Sequence, residues 1–337
     1  MTDRDHAGTA PTALNGAGLS PTRAPSVSAL RLKGQTRDAP EPQPKIGGWH
    51  WKEWGCELVG TGFQLFAGFS IVAIMEARGA PGRQLIGSSG LRLVMIGAAF
   101  GLLAAIVATS PLGKRSGAHL NPAVTLGFFL RRHTHAHDLV GYALAQTAGA
   151  LGAAGAFSAI CGTWAVKVNH ARTVPSASVH PWVAAGIEAA LTLALLLTIF
   201  SMVSSPRTAR WTPLVVTGVL SGLIWAGAPY TGASMNPART LGPDIVAGGY
   251  SALWVYFVGP LSGALLAVGL FDVLARERTT LTAKLFHDSN YPSTQRTVLP
   301  AKPHRPSGPV TGHKQPAGEQ PVPATGGDIE PERLPQA

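Results

Sequence analysis

The chain has 337 residues, of which 46% are hydrophobic and only 13% are charged, and its formal net charge at pH 7 is +10. This composition is too apolar for an ordinary soluble domain and indicates a membrane protein. The basic residues are scattered through termini and short loops and form no single basic face, which argues against nucleic-acid binding. Cys56 and Cys161 lie inside apolar segments and lack the spacing of a disulfide framework or a metal site.

The first 48 residues are rich in Pro, Ala, Gly and Ser, without hydrophobic periodicity. Such a segment buries too little apolar surface to offset the entropy of ordering it, so we expect a disordered tail over residues 1–48. It has no apolar stretch typical of a cleaved signal peptide, and none is expected. Trp49, Trp51 and Trp54 follow and predict a membrane–water interface just before the first span.

Six apolar segments have the length of about 20 residues that is needed to cross about 30 Å of hydrocarbon. They cover approximately residues 54–76, 91–110, 138–161, 181–203, 211–228 and 251–274. The sequence therefore predicts an all-α membrane protein with six spans. Beyond residue 275 the chain is polar and Pro-rich again, which predicts a second disordered tail over residues 276–337.

One short motif occurs twice, after the second and after the fifth predicted span. The copies begin at Ser116 and Thr231 and align without a gap at a distance of 115 residues. In each copy an Asn occupies a helix N-cap position and a Pro the first helical position, which predicts a helix start. Each of these helices is too short to cross the membrane. We expect two half-helices that enter the membrane without spanning it.

The repeat extends beyond the motif, because the last span of each half also matches, from Tyr142 to Leu151 and from Tyr256 to Leu265. Each half then has three spans and one half-helix before the last span. Because three is an odd number, the second half must enter the bilayer inverted relative to the first. Inverted repeats place a binding or conduction site at the midplane between them.

The two motifs read Asn121-Pro122-Ala123 and Asn236-Pro237-Ala238, and the second continues into Arg239. In these residues the chain resembles the aquaporin, or major intrinsic protein, family, from about Trp54 to Val273. The resemblance implies an aquaporin-like fold of six transmembrane helices plus two re-entrant half-helices. It also implies a homotetramer with one pore per subunit, and a channel that is not an enzyme and needs no cofactor or metal. The channel domain is expected at 49–275, with repeats at about 54–161 and 181–274.

Non-helical backbone at membrane depth is tolerated only where it is buried in protein or lines a wet cavity. The loops before the half-helices are such backbone, so we expect their carbonyl groups to line a pore as acceptors: those of Gly117, Ala118, His119, Leu120, Gly232, Ala233, Ser234 and Met235. Two helix N-termini then meet with partial positive charges, which disfavours cations and protons. Asn121 and Asn236 are predicted to cap these helices and to offer amide donors to a permeating oxygen.

Three ionisable residues are predicted at membrane depth. Arg239 belongs in the pore, since a cation there needs a wet cavity. Glu57 and Glu188 occupy matching places in the first span of each half, and the resemblance implies that they brace the re-entrant loops through backbone N–H groups. A proton relay is the alternative for the glutamates. His119 is expected to contribute its carbonyl and not its ring.

The resemblance places the narrowest ring of the pore at Phe100, Ile224, Ala233 and Arg239, with Trp225 as an alternative to Ile224. Strict water pores of the family carry His where Ile224 stands, so this wall is apolar and suggests a wider passage.

Glycerol-conducting relatives typically have Asp where this chain has Thr240, and they lack the aromatic pair Tyr256-Phe257. We expect a water channel that excludes ions and protons. A facilitator of small neutral solutes (glycerol, urea, ammonia or hydrogen peroxide) is the alternative.

Other functions were weighed against the same residues. His133, His135 and His137 alternate after the first half-helix and would suit a metal or pH gate, but we expect a solvated loop. A membrane enzyme would need a cluster of catalytic groups at membrane depth, and the sequence suggests none. A secondary transporter, the nearest rival, usually has ion-coupling carboxylates at its broken helices. A structural protein with a closed pore would share every feature but the open passage.

The Lys and Arg residues are more numerous on the side that would carry both termini, including Lys52, Lys114, Arg131 and Arg132, than on the other side. The positive-inside rule then predicts cytoplasmic termini. We expect a multi-pass protein of the cell membrane. Its expected partners are the lipid bilayer, water or a small neutral solute, and further copies of the chain.

Overall fold

The structure, a computed structural model, describes residues 48–294 except Ser251, 276–277, Ser289 and 292–293. The disorder predicted for residues 1–47 and 295–337 therefore lies outside the described residues. The described ranges fold into helices and one 3₁₀ turn, Asn169–Ala171. The helices are α1 (Trp51–Glu76), α2 (Pro81–Leu85), α3 (Ser89–Thr109), α4 (Pro111–Ser116), α5 (Pro122–Leu130), α6 (Ala136–Cys161), α7 (Thr163–Lys167), α8 (Pro181–Val203), α9 (Pro206–Ala209), α10 (Thr212–Thr231), α11 (Pro237–Ala247) and α12 (Val255–Leu274).

Among the described residues, six helices are long and apolar enough to cross a membrane: α1, α3, α6, α8, α10 and α12. They confirm the six predicted spans. The bounds differ by three residues at the start of α1 and at the end of α10, which continues to Thr231 although Pro229 lies inside it, and by four at the start of α12. We call the face where α1 begins and α12 ends the terminal face, and the other the opposite face.

The two predicted half-helices are α5 and α11. They have 9 and 11 residues, which at 1.5 Å per residue gives about 14 and 17 Å, or about half of the hydrocarbon thickness. From the order of the spans, α5 runs from the middle of the protein towards the terminal face and α11 towards the opposite face. The inverted repeat is therefore present in the fold.

Within each half, the first span packs against the last, α1 on α6 and α8 on α12. In each half a glycine lets the two helices approach closely, at equivalent positions of the repeat. A Cβ atom at Gly149 would lie 2.4 Å from the carbonyl oxygen of Leu58, and one at Gly263 would lie 2.4 Å from that of Ala189. No larger side chain fits these positions without moving the helices apart, so the paired glycines set the distance between the spans.

The packed part of the chain extends beyond residue 275, where the channel domain was predicted to end and a disordered tail to begin. Residues 278–288 lie against the terminal face. Five side chains of this stretch are buried: Thr280, Thr282, Ala283, Lys284 and Leu285. The prediction of disorder does not hold for this stretch, because its backbone donates to the re-entrant loop and to α8, and its side chains bond to Lys114, Arg131 and His133.

Candidate functional site: a pore between two half-helices

The loops before α5 and α11 share an uncommon backbone conformation. The dihedral φ is positive at Gly117 (103°), Ala118 (54°) and Leu120 (53°). The equivalent positions of the second loop share this conformation: Gly232 (77°), Ala233 (50°) and Met235 (54°). Because each non-glycine residue in this region costs about 1 kcal/mol or more, other contacts must hold the loops in place.

Glu57 holds the first loop. It is fully buried in α1 and accepts hydrogen bonds from the backbone N–H groups of His119 (3.1 Å) and Leu120 (2.7 Å). Its carboxylate also accepts from Ser116 Oγ (2.7 Å) and Gln146 Nε2 (2.8 Å). Four donors compensate the loss of hydration of this carboxylate, and two of them fix the loop backbone.

Glu188 makes the equivalent contacts in the second half. It is fully buried in α8 and accepts from the backbone N–H groups of Ser234 (2.9 Å) and Met235 (2.7 Å) and from Thr231 Oγ1 (2.7 Å). Both glutamates thus bond to the loops that they were predicted to brace. Each carboxylate accepts hydrogen bonds from the loop and from neighbouring side chains, which argues against a proton relay through these glutamates.

Two tyrosines add contacts that the sequence analysis did not predict. Tyr142 donates to the carbonyl oxygen of Ser116 (2.7 Å), and Tyr256 donates to that of Thr231 (2.6 Å). Both rings are fully buried. The sequence shows that Tyr142 and Tyr256 occupy equivalent positions in the repeat. It does not show which acceptor each phenol hydroxyl donates to.

Asn121 and Asn236 join the two half-helices at the centre. Each side-chain oxygen caps its own helix, accepting from Ala123 N (2.8 Å) and Ala238 N (3.0 Å) respectively. Each amide nitrogen then crosses to the other loop: Asn121 Nδ2 donates to Met235 O (2.8 Å), and Asn236 Nδ2 donates to Leu120 O (2.9 Å). An amide nitrogen carries two protons, so each asparagine keeps one donor for a ligand in the adjoining cavity.

A cavity of about 90 Å³ lies beside these asparagines. Its walls are mostly apolar, with Leu195, Ile199, Val216 and Leu220 contributed by α8 and α10. Polar groups come from Gln64, both asparagines, Arg239 and the loops. The volume holds a few water molecules at about 30 Å³ each. An apolar wall facing a row of polar groups suits the passage of a small hydrogen-bonding molecule.

The loop residues predicted to offer carbonyl groups divide into two sets. Six of them line the cavity: Ala118, His119, Leu120, Ala233, Ser234 and Met235. Gly117 and Gly232 are outside this lining, and the Gly117 carbonyl accepts instead from Leu285 N (3.0 Å). The carbonyl oxygens of Leu120 and Met235 each retain a second lone pair beyond the one that accepts from an asparagine.

The four residues predicted to form the narrowest ring, Phe100, Ile224, Ala233 and Arg239, all line the same cavity. Trp225, the alternative to Ile224, has 55% of its surface exposed on the outside of the bundle, whereas Ile224 has 8% exposed. The inward position therefore belongs to Ile224.

Arg239 is held by contacts of two kinds. Its Nη1 donates to the carbonyl oxygen of Ala171 (2.8 Å), and its guanidinium lies 5.4 Å from the ring centroid of Phe69 and 6.0 Å from that of Phe100. These contacts orient the cation by hydrogen bonding and cation–π attraction. Ala171 was missed by the sequence analysis, because a backbone carbonyl in a connecting loop has no sequence signature.

Two predictions about histidines need correction. His119 lines the cavity, but its ring is also engaged: Nε2 lies 2.8 Å from the carbonyl oxygen of Ala283, and Nδ1 lies 3.2 Å from Thr125 Oγ1. The loop around His133 is not simply solvated, since His133 is buried and its Nε2 lies 2.6 Å from Thr280 Oγ1. In both cases the partner is the stretch beyond residue 275 that was expected to be disordered.

Two inverted halves of three spans, with two half-helices that meet beside a cavity of mixed polarity, define an integral membrane channel with the aquaporin fold. The family model described as Major intrinsic protein matches residues 48–271. The chain belongs to the major intrinsic protein family, whose members are passive membrane channels and not enzymes.

Similar proteins include channels named as aquaporins and one named as a glycerol facilitator. Aquaporin NIP6-1 of Arabidopsis thaliana is 32% identical, over 72% of this chain and 74% of that protein. Aquaporin AqpM of Methanothermobacter thermautotrophicus is 35% identical, over 66% and 96%. Glycerol uptake facilitator protein-like 6 of Lactiplantibacillus plantarum is 32% identical, over 66% and 97%. The crystal structure of the aquaglyceroporin from Plasmodium falciparum aligns with a TM-score of 0.56 and 22% identity, over 67% of this chain and 96% of that one, and supports the fold alone.

Proposed function

We propose that the chain conducts water passively across the membrane and excludes ions and protons. The observation that carries this proposal is the convergence of the amides of Asn121 and Asn236 on one cavity whose other walls are largely apolar. A water molecule exchanges hydrogen bonds with these donors and with loop carbonyls as it passes. Because few polar groups line the path, water is held weakly enough to leave.

Ions are excluded by two features of the same site. The N-termini of α5 and α11 both begin at the centre and carry partial positive charge, which opposes a cation or a proton. Arg239 adds a full positive charge at the predicted narrowest ring. An anion would meet favourable charge there, but it would lose its hydration shell against the apolar side chains of Phe100 and Ile224.

Passage of a small neutral solute is the second candidate, and one observation favours it. Ile224 occupies the wall of the cavity and supplies no hydrogen-bonding group there. An apolar wall opposite Arg239 suits a solute with a carbon skeleton and hydroxyl or amide groups, such as glycerol or urea. Ammonia and hydrogen peroxide would also fit by size.

The remaining parts of the proposal concern assembly and location. The exposed apolar side chains on the spans, among them Leu102, Leu144 and Leu266, suit contact with lipid or with other subunits. We take the assembly to be a homotetramer with one pore per subunit, in the cell membrane. The excess of Lys and Arg on the terminal face supports cytoplasmic termini.

Light scattering from liposomes tests this function. The purified chain is tested in two forms, full-length and ending at Ala275, and at least one form should make vesicles shrink much faster than empty vesicles in an impermeant osmolyte, without ion conductance. A glycerol gradient measures the second candidate in the same vesicles. If neither form of the chain speeds the passage of water or glycerol, the proposed function is wrong.

Replacing the charge at the ring gives a sharper prediction. Arg239→Val should keep fast water passage but admit protons or cations, because the only full charge placed at this ring is removed. A proton-sensitive dye inside the vesicles measures the leak. Arg78→Val, an exposed position on the opposite face, is the matched control and should behave as the unmodified chain. Equal proton exclusion by both variants would show that Arg239 is not part of the filter.

A further inference from the structure

Three side chains with metal-ligating atoms meet on the terminal face, outside the pore: His50, His137 and Asp138. His50 Nδ1 lies 2.8 Å from both carboxylate oxygens of Asp138 and 3.2 Å from His137 Nε2. His137 Nε2 lies 3.8 Å from Asp138 Oδ1. Ligands that bind Zn²⁺ at about 2.0–2.2 Å in a tetrahedron are about 3.3 Å apart, so these atoms already have nearly the required spacing.

We propose that these three residues bind a divalent transition-metal ion, with Zn²⁺ as the best match. Two imidazoles and one carboxylate suit Zn²⁺ and, less well, Co²⁺ or Ni²⁺, whereas Mg²⁺ and Ca²⁺ prefer oxygen ligands only. Asp138 is fully buried and His50 nearly so, but His137 has 39% of its side chain exposed. The ion enters from solvent beside His137, and water completes its coordination.

The surroundings orient the ligands. Trp54 Nε1 donates to Asp138 Oδ1 (2.9 Å), and Asp138 Oδ2 lies 2.8 Å from His50 Nδ1, so the carboxylate is already turned towards the other two ligands. The ring of His135 lies 5.3 Å from that of His137 and restricts its rotation. Outer contacts of this kind typically fix the geometry of metal ligands. A site built this way clamps the residue before α1 to the first turn of α6, two segments 88 positions apart.

The alternative is a hydrogen bond between His50 and Asp138 that ties α1 to α6 and binds no metal. Calorimetric titration of the full-length, untagged chain in detergent with ZnCl₂, after treatment with EDTA, separates the two. The metal site predicts one Zn²⁺ per chain, a higher unfolding temperature with Zn²⁺, and the visible absorption bands of tetrahedral Co²⁺ when CoCl₂ is added.

His137→Ala should weaken Zn²⁺ binding by at least about tenfold, because even the loss of an outer contact typically costs that much. His137 caps no helix and is partly exposed, so the variant should stay folded. His180→Ala on the opposite face is the control and should bind as the unmodified chain does. The proposal fails if the full-length chain binds no Zn²⁺ at tens of micromolar, or if both variants bind it equally.

A second inference comes from a different region, the stretch of residues 278–288, and it rests on the proposed function. This stretch, which we call the capping segment, is anchored by backbone groups. Leu281 N donates to Val203 O (3.0 Å) and Leu285 N to Gly117 O (3.0 Å). The Ala283 carbonyl accepts from the ring Nε2 of His119 (2.8 Å), since a carbonyl oxygen has no proton to give.

The capping segment reaches the pore itself. Leu285 is buried and lines the cavity together with Asn121 and Arg239. A Cβ atom at Gly117 would lie 2.7 Å from the Ala283 carbonyl oxygen, so the glycine makes room for the segment. In the other half, a Cβ atom at the equivalent Gly232 would lie 3.0 Å from Thr173 Cγ2, and the loop of Thr173 supplies the Ala171 carbonyl to Arg239. The same loop position thus receives a covering segment at each end of the pore.

Side-chain contacts hold the outer part of the segment. Lys284 Nζ donates to the carbonyl oxygen of Lys114 (2.5 Å), and Lys114 Nζ lies 3.1 Å from Asp288 Oδ2. Arg131 Nε donates to Thr280 Oγ1 (3.2 Å). A hydrogen bond within the protein replaces one to water and adds little net stability, so a few such contacts let the segment be released as well as docked.

We infer that the capping segment closes the terminal end of the pore and that its release opens it. Three chains test this in liposomes at equal protein density: the full-length chain, a chain ending at Thr294, and one ending at Ala275. The chain ending at Ala275 should pass water several-fold faster than the other two, which keep the segment. Equal and fast passage by all three would overturn the inference and leave the proposed function intact, whereas slow passage by all three would contradict the proposed function.

A point variant guards against an effect of truncation on folding. Leu285→Asp places a charge in the apolar cavity lining and should release the segment, so water passage should rise towards that of the chain ending at Ala275. Asn290→Asp adds the same charge at an exposed position and should change nothing. If Leu285→Asp folds and passes water no faster than Asn290→Asp, Leu285 does not close the pore.

Discussion

At the scale of single residues, the sequence predicts charged partners better than neutral ones. The family resemblance assigned Glu57 and Glu188 to the re-entrant loops, in agreement with the need of a buried carboxylate for hydrogen-bond donors, and both bond to those loops. The hydroxyl groups of Ser116 and Thr231 and the Ala171 carbonyl were not predicted. Neutral donors and acceptors are satisfied in many ways, so their partners follow only from the folded geometry.

Gly68 gives a residue-scale prediction about the pore. A Cβ atom there would lie 2.5 Å from the ring of Phe100, which lines the cavity. Gly68→Ala should therefore push the ring into the passage and slow water several-fold, measured by osmotic shrinkage of vesicles with the chain ending at Ala275. Helix α1 itself should tolerate the change, because Ala favours a helix over Gly by about 1 kcal/mol.

The same helix offers the control for this prediction. A Cβ atom at Gly55 would meet no atom within 4 Å, so Gly55→Ala should leave water passage unchanged. Adding Phe100→Ala to Gly68→Ala should restore the flow, because the displaced ring is then absent. Slow passage that persists in the double variant would show that Gly68→Ala acts on helix packing and not through Phe100.

At the scale of elements, hydropathy and the Asn-Pro pairs were sufficient for the six spans and the two half-helices. Both signals are local: a span needs about 20 apolar residues, and a helix start needs a cap. The capping segment escaped prediction because its partners are not local. Thr280, Ala283 and Leu285 are satisfied by His133, the first re-entrant loop and the cavity, surfaces that exist only once the halves have folded. Its sequence alone is polar and unpatterned.

At the scale of the whole molecule, the repeat predicted the topology. It did not predict the segments that cover the two ends of the pore, which differ between the halves. Asn121 and Asn236 make equivalent caps and equivalent crossed hydrogen bonds. The covering segments differ: a loop between spans holds Arg239 at the opposite face, and the capping segment binds His119 at the terminal face. An internal comparison of the halves cannot predict such segments, because they lie outside the repeated unit.

The capping segment also makes the closed state of the whole channel sensitive to pH. Burial lowers the pKa of Lys284 from 10.5 to about 8, while Asp288 and Glu53 raise it less. Burial likewise lowers the pKa of His287 from 6.5, with Lys284 acting in the same direction. For both groups the released segment binds more protons than the docked one. Docking therefore strengthens as pH rises, and for Lys284 the window lies between about pH 8 and 10.5.

Water passage through the full-length chain should consequently fall between pH 7 and pH 9. With the Lys284 pKa at about 8 when docked and 10.5 when released, the docking constant rises about tenfold over this interval, or about 1.4 kcal/mol. Burial lowers the pKa of the docked His287, so its contribution lies at lower pH than that of Lys284. The chain ending at Ala275 should show no such change. Lys284→Met should be closed at both pH values, because it has no charge to bury; if it keeps the pH dependence of the unmodified chain, a group other than Lys284 controls the closure.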